Sequence, residues 1–400
     1  MNLMKKQLFG TREASCGKSR SVQLAWLLCV VLIAGGNAAA TAATDSDNRQ
    51  TADKATPTDD AAAKKKAELP IPKEESSITH HEVKIGGQEI AYTATAGNLL
   101  IRKGDDPVAS MFYVAYTCDG VTNLEQRPVT FFYNGGPGSS TIWLHMGSFG
   151  PRIVATANAQ ATGPAPYHVG NNGDSLLDRS DLVFIDAVST GFSRIVGKGE
   201  GTNFWSVDGD VEAFGKFITR YITLNHRWNS PKFLFGESYG TTRSAALVYH
   251  LQGQGMYFNG VVLLSSILNY AANSPGLDEP FVNNLPTYAA IAWFHDKLPT
   301  KPADLGAFLQ QVRDFAAGQY AQALAKGQAL PAAQEDAVAA QLHEFTGLNV
   351  PYLKEANLRV DPSRFRKELL RDERRTLGRY DGRFEGIDFD AAGERPSSDP

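Results

Sequence analysis

The 400-residue sequence is poor in cysteine. It has three, Cys16, Cys29 and Cys118, too few for the disulfide-dense frameworks of small secreted domains. Long apolar runs are also scarce. The stretch LAWLLCVVLIA, from Leu24 to Ala34, is too short to cross a bilayer comfortably. Positive charge is not in excess: the formal net charge is −4, and no basic stripe argues for nucleic acid. There is no internal repeat, which excludes solenoid architectures. What remains is a chain of ordinary globular composition, 42% hydrophobic and 20% charged, long enough to build a sizeable core.

The N-terminus reads as a targeting segment. Lys5, Lys6, Arg12, Lys18 and Arg20 precede the apolar run, and GNAAATAATDS follows it with small residues suited to cleavage near Ala38 to Ala43. This order predicts a secretory signal peptide over 1–43 and a periplasmic or secreted protein. No twin arginine precedes the run, and Cys29 follows Leu28, a poor context for a lipid-attached cysteine. An uncleaved membrane anchor is the alternative. Removal of 1–43 takes away five positive charges and one negative, leaving a net charge of about −8. Only Cys118 then survives, so no internal disulfide is expected. Cys118, in YTCDG, reads as a bystander.

Residues 44–78, rich in Ala, Thr, Asp, Lys and Pro without apolar periodicity, predict a disordered linker. His80 and His81 beside it read as linker rather than as metal ligands. From 79 to 268 the texture is that of a strand and helix core. HEVKIGG, QEIAYTATAG, NLLIRKG and ASMFYVAYT suggest antiparallel hairpins. PVTFFYN, DLVFID, KFLFGES and GVVLLSS are continuous apolar runs of strand length, as expected of strands buried on both faces. Between them, Val211, Phe214, Phe217, Ile218, Tyr221 and Ile222 fall on one helical face. The fold class is therefore α/β, a mostly parallel sheet with antiparallel strands at its N-terminal side. Residues 269–385 are Ala- and Leu-rich and predict a helical cap or insertion, and 386–400 read as loop.

Two segments carry chemistry. In FGESYG, Ser238 sits between Gly236 and Gly240, after a buried-strand pattern and before a helix pattern. That context turns a weak G-x-S-x-G match into a nucleophile elbow, which exposes the serine hydroxyl at the C-terminal edge of a sheet. The bland reading is a tight strand–helix turn with no chemistry. In FFYNGGPGSST, Gly135 and Gly136 let the backbone approach a ligand closely. A phosphate loop is the rival reading, but the segment lacks the Gly-Lys-Ser/Thr ending. No cofactor and no metal are expected.

NGGPGSS at 134–140, FIDAVSTGFSR at 184–194 and GESYG at 236–240 together resemble the serine carboxypeptidase family, a branch of the α/β-hydrolases. The stretches LPTYAAIAWFH and GRYDGRF resemble its bacterial members. The resemblance implies Ser238 as nucleophile and the N–H groups of Gly136 and Tyr239 as oxyanion donors. It implies Asn134, Gly135 and Glu237 as the binding site for the free C-terminal carboxylate of a peptide substrate. A carboxylate beside a carboxylate cannot leave both ionised, so Glu237 would hold a proton when substrate binds and peptide cleavage would favour acidic pH. Three departures stand out. Ser139 replaces a cysteine common in the family, Phe132 replaces a tryptophan, and Ala187-Val188-Ser189 lacks a usual proline.

The base of the triad is harder to find. His250 lies on the elbow's own helix; His295 and His343 lie in helical sequence without a preceding strand. Asp381, Asp388 and Asp390 are loop acids with no strand before them. The expectation is a truncated fold, with its C-terminal part missing and the triad aspartate and histidine beyond Pro400, so that this form is inactive or nearly so. An esterase or acyltransferase on the same fold, or a non-catalytic binding protein, are the alternatives.

Overall fold

The computed structural model describes residues 68–160, 162–274 and 276–400. The expected signal peptide and most of the expected linker lie outside the described residues. An eight-stranded sheet forms the centre. Its main strands are β1 (Ser76–Ile85), β2 (Gln88–Lys103), β3 (Asp106–Cys118), β4 (Val129–Tyr133), β5 (Asp181–Ile185), β6 (Lys232–Glu237) and β7 (Gly260–Leu264). Their spatial order is β1-β2-β3-β5-β4-β6-β7, and the two-residue strand Arg194–Ile195 pairs with β3. The β5-β4-β6-β7 pairings are parallel; those from β1 to β5 are antiparallel. This is the mixed α/β sheet that the strand patterns predict.

The parallel strands are buried because both faces are covered. Every residue of β4 and β5 is buried. On one face Phe131, Val183 and Leu234 meet the helices α1 (Val207–Leu224) and α2 (Tyr239–Gln252). The six apolar positions at helical spacing on α1 are all buried there. On the other face Phe132 is in register with Phe184 of β5 and Phe235 of β6. Its ring stacks on theirs at centroid distances of 4.7 and 4.9 Å. Three aromatic rings in register hold three parallel strands together across one face. The phenylalanine that departs from the family's tryptophan is thus the centre of a stack.

At the opposite end of these strands from Ser238 lies a buried charge cluster. Asp181 accepts from Arg127 Nε at 3.0 Å, from Arg227 Nη1 at 2.5 Å and from the Cys118 N–H at 3.0 Å. Arg227 also donates to the Arg127 carbonyl at 2.7 Å. One carboxylate therefore fixes the entries of β4 and β5 and the end of β3. Cys118 is itself disulfide-bonded, and the other two cysteines lie outside the described residues.

Two further expectations change. β1 begins at Ser76, within the stretch read as linker, and pairs with β2 over ten residues from Ser76↔Gly97 to Ile85↔Gln88. Its first seven residues are exposed, so they carry no apolar signal even though their backbone is paired. His80 and His81 belong to this strand; His80 Nδ1 lies 3.0 Å from the Thr93 hydroxyl. Farther along, α3 (Glu279–Phe294), α4 (Leu305–Phe315), α5 (Ala321–Lys326), α6 (Ala332–Thr346), α7 (Val350–Glu355) and α8 (Pro362–Glu368) pack around a separate core that includes Leu285, Val312, Leu342 and Phe365. This layer also holds a short antiparallel pair, Arg375–Leu377 with Glu385–Ile387. Beyond Ile387 the chain to Pro400 holds no helix or strand, and it is pinned where Asp388 forms a buried ion pair with Lys367.

β7 is the sheet's last strand and pairs only with β6 among the described residues. Val261 and Leu263 are 38% and 41% exposed, unlike the equivalent positions of β4 and β5.

Replacing Asp181 by Ala strands two buried guanidinium groups. It is expected to cost about 3–5 kcal/mol of unfolding free energy, measurable as a shift in urea midpoint at unchanged slope. A loss below about 1 kcal/mol would show that water already satisfies the cluster.

Candidate active site

Ser238 follows β6 and caps α2 with φ 57° and ψ −125°, a conformation that costs a non-glycine residue strain. The elbow persists because neighbours fix it from several sides. The Ser238 N–H donates to the Leu264 carbonyl at 2.9 Å, and its carbonyl accepts from the Thr241 N–H at 2.8 Å and hydroxyl at 2.6 Å. Gly236 and Gly240 leave no room for side chains: a Cβ on Gly236 would lie 2.2 Å from the Gly240 carbonyl oxygen.

The NGGPGSS loop lies directly on this turn. A Cβ on Gly135 would fall 2.4 Å from the Tyr239 nitrogen, 2.7 Å from the Glu237 carbonyl oxygen and 2.9 Å from Ser238 Cβ. Only glycine permits this contact of two backbones. Gly136 follows with φ 106°. Glu237 Oε2 accepts from Asn134 Nδ2 at 3.0 Å and faces the Gly135 N–H at 3.4 Å. The Leu144 N–H donates to Asn134 Oδ1 at 3.1 Å, which orients the amide so that its NH₂ faces Glu237. The structure thus brings Asn134, Gly135, Gly136, Glu237, Ser238 and Tyr239 into one place. Ser238 is 6% exposed and Asn134 2%.

Asp186 holds the loop's far end. Its carboxylate accepts from the Thr141 N–H at 2.9 Å and the Phe192 N–H at 3.3 Å. Burial raises its carboxyl above the ordinary range, against the pull of those N–H bonds. The segment without the family's proline closes on its own turns, Thr190 N–H to the Ala187 carbonyl and Ser193 N–H to the Thr190 carbonyl, with Ser189 at φ 69°.

Sequence reasoning overlooked Arg243 and Asp210. Arg243, on α2, donates through Nε to Asp210 Oδ2 at 2.7 Å and through Nη2 to Oδ1 at 3.2 Å. Its third donor, Nη1, reaches the Asn134 carbonyl at 2.8 Å. The Tyr239 hydroxyl donates to Asp210 Oδ2 at 3.1 Å. Burial, and then the Asp210 charge, pushes the Tyr239 phenol well above its ordinary value, so it remains a donor. Arg243 is 1% exposed, with the Phe214 ring 4.2 Å away. The available signal was spacing: Arg243 is four residues after Tyr239 and so lies on the same face of α2.

None of the candidate bases meets the serine. His250 Nε2 lies 3.0 Å from Gln254 Nε2, His295 Nε2 is 2.7 Å from the Gly382 carbonyl, and His343 Nδ1 is 2.8 Å from the Leu348 carbonyl. Asp381 pairs with Arg383 and Asp388 with Lys367, and Asp390 Oδ1 accepts the N–H groups of Ala392 and Gly393. Among the described residues, no histidine hydrogen-bonds to Ser238.

His145, next to Leu144, is stacked on Phe184 at 4.6 Å and lies 2.6 Å from the Tyr116 hydroxyl. Burial lowers its pKa from 6.5 to about 4. Its neutral form is thus the folded one. Stability is complete above pH 6.5 and falls between there and pH 4, as the unfolded chain binds a proton that the folded chain does not. The loss should reach at most about 3 kcal/mol. Unfolding free energies of wild type and His145→Asn across this range should diverge; parallel curves would refute the assignment. Gly135→Ala should cost at least about 2 kcal/mol through overpacking against backbone. An unchanged melting temperature would mean that the loop can lift off the elbow freely.

A comparison with protein-family models matches residues 87–282 to serine carboxypeptidase. No curated protein matches. Similar solved structures include a prohormone-processing carboxypeptidase from Saccharomyces cerevisiae, 17% identical, with 64% of this chain and 53% of that chain covered and a TM-score of 0.37. This chain thus spans about half the length of that relative. A proline iminopeptidase from Mycobacterium smegmatis is 17% identical, covering 63% of this chain and 72% of that one at a TM-score of 0.27. A peroxisomal alpha-beta-hydrolase from S. cerevisiae is 13% identical, covering 60% and 62% at 0.28. The three motifs and their assembly around Ser238 agree with the family match: residues 87–282 of the chain are similar to the serine carboxypeptidase family.

Proposed function

We propose that this protein is an exported serine carboxypeptidase, which releases C-terminal residues from peptides through an acyl-enzyme on Ser238. The observation that carries the reading is the position of Glu237. Its Oε2 faces the Asn134 amide and the Gly135 N–H, and its own residue precedes the nucleophile. These are the donors a substrate carboxylate would take over. Glu237 then meets that carboxylate as a protonated donor, so peptide cleavage favours acidic pH. An esterase has no use for a carboxylate site beside the serine.

In this reading Ser238 attacks the scissile carbonyl. Its alcohol proton passes to a base, and the carbonyl oxygen gains negative charge. The N–H groups of Gly136 and Tyr239 receive that charge, and the helix N-terminus beneath them favours it. The C–N bond then breaks. The leaving amine takes the proton from the base and departs as an amino acid, and water hydrolyses the ester. In this reading the base and its orienting acid come from residues beyond those described, because the histidines and acids named as candidates are engaged elsewhere.

The test uses N-blocked dipeptides, their C-terminal amides and matched esters, assayed from pH 4 to 8. The 400-residue chain should hydrolyse them at or near background, and a longer form supplying the base should cleave the free acids best at the acidic end. Turnover by the 400-residue chain that Ser238→Ala abolishes would overturn the external base. A longer form preferring amides or esters at every pH would overturn the carboxypeptidase reading.

A further inference from the structure

We infer that Arg243, held by Asp210, is a positioning residue for the carboxylate-binding donors; this rests on the carboxylate-site reading of Asn134, Gly135 and Glu237. The Asn134 carbonyl and the Gly135 N–H belong to one planar peptide unit, and they point in opposite directions. Arg243 Nη1 grips that carbonyl from the core side at 2.8 Å. The plane is thereby set, and the N–H on its other edge is aimed at Glu237 Oε2. A peptide flanked by glycine has little intrinsic preference for one orientation, so the direction of this donor must come from outside the loop.

Arg243 can do this because it cannot move. Two of its donors are spent on the two oxygens of Asp210, in the side-on geometry that fixes a guanidinium in plane. Aromatic rings of Phe214, Tyr239 and Tyr133 lie 4.2, 5.1 and 5.2 Å from its Cζ. Asp210 in turn holds the Tyr239 hydroxyl, so the same pair grips the residue that follows the nucleophile. One buried ion pair thus ties both walls of the site, the 134–135 peptide and Tyr239, to α1 and α2. A lysine offers a single rotatable head and cannot serve Asp210 and the peptide in this geometry at once.

The experiment is calorimetric binding of N-acetylphenylalanine and its amide to the purified 400-residue chain. It needs no turnover and no base. Wild type should bind the acid more tightly than the amide. In Arg243→Lys, checked for folding by circular dichroism, affinity for the acid should fall about tenfold or more while affinity for the amide changes less than about twofold. A second variant guards against misfolding. Arg243→Met combined with Asp210→Leu replaces the buried pair by apolar groups of similar volume, an exchange that folds tolerate. It should lose acid-over-amide selectivity as well. Unchanged selectivity in either folded variant would overturn the positioning role. Absence of selectivity in wild type, seen before any substitution, would instead remove the carboxylate reading and this role with it.

Discussion

Two backbones meet where most chains would place a side chain. The Gly135 Cα rests against the peptide that joins Ser238 to Tyr239, and the rest of the site is arranged around that contact. It requires glycine at 135, beside a turn that itself needs Gly236 and Gly240 and holds Ser238 at positive φ. Each of these weakens the local chain. Stability must come from neighbours: the Phe132 stack beneath β4, β5 and β6, the Asp186 carboxylate at the loop's far end, and the Arg243–Asp210 pair behind the elbow. The strained turn and the rigid sheet are therefore parts of one design, in which packing offsets a backbone cost.

The elbow and the loop were legible in the sequence for the same reason. Close backbone approach demands glycine at fixed positions, and a glycine pattern is visible in letters. β4, β5 and β6 were legible because burial on both faces writes continuous apolar runs; β7 reads the same way although its alternate residues are exposed. β1 was not, since its first seven residues face water and are held by backbone pairing that leaves no trace in composition. Arg243 and Asp210 were hidden differently. A buried ion pair uses the residue types that usually mark a solvated helix face, and only three-dimensional contact tells the two apart. Asp210 lies in the first turn of α1, where an acidic residue is expected for helix-dipole reasons alone. Asp186 sat within a recognised motif, yet its job of clasping Thr141 to Phe192 depends on a fold that brings two loops together.

Electrostatics divides the molecule into two regimes. Around Asp181 and Asp210, buried charges are matched by guanidinium forks and contribute mainly by fixing geometry; removing one partner costs far more than the pair contributes. Around His145 the protein instead excludes charge, stacking a neutral imidazole on Phe184. That histidine adjoins Leu144, whose N–H orients Asn134. A group that resists protonation thus supports a site proposed to require it. The support and the proposed chemistry respond to acid in opposite senses.

The hydrogen bond from Ser238 to Leu264 has a mechanical side. Leu264 ends β7, the sheet's outermost described strand on that side, with a half-open apolar face. Edge strands fray first, and their amides exchange with solvent at lower opening energies than those of central strands. The amide of Ser238 hangs from that strand rather than from the interior. Local breathing of β7 is therefore breathing of the elbow, and deuterium uptake at Ser238 should follow the edge of the sheet and not its centre. Whatever stiffens that edge tightens the nucleophile's backbone at a distance of one hydrogen bond.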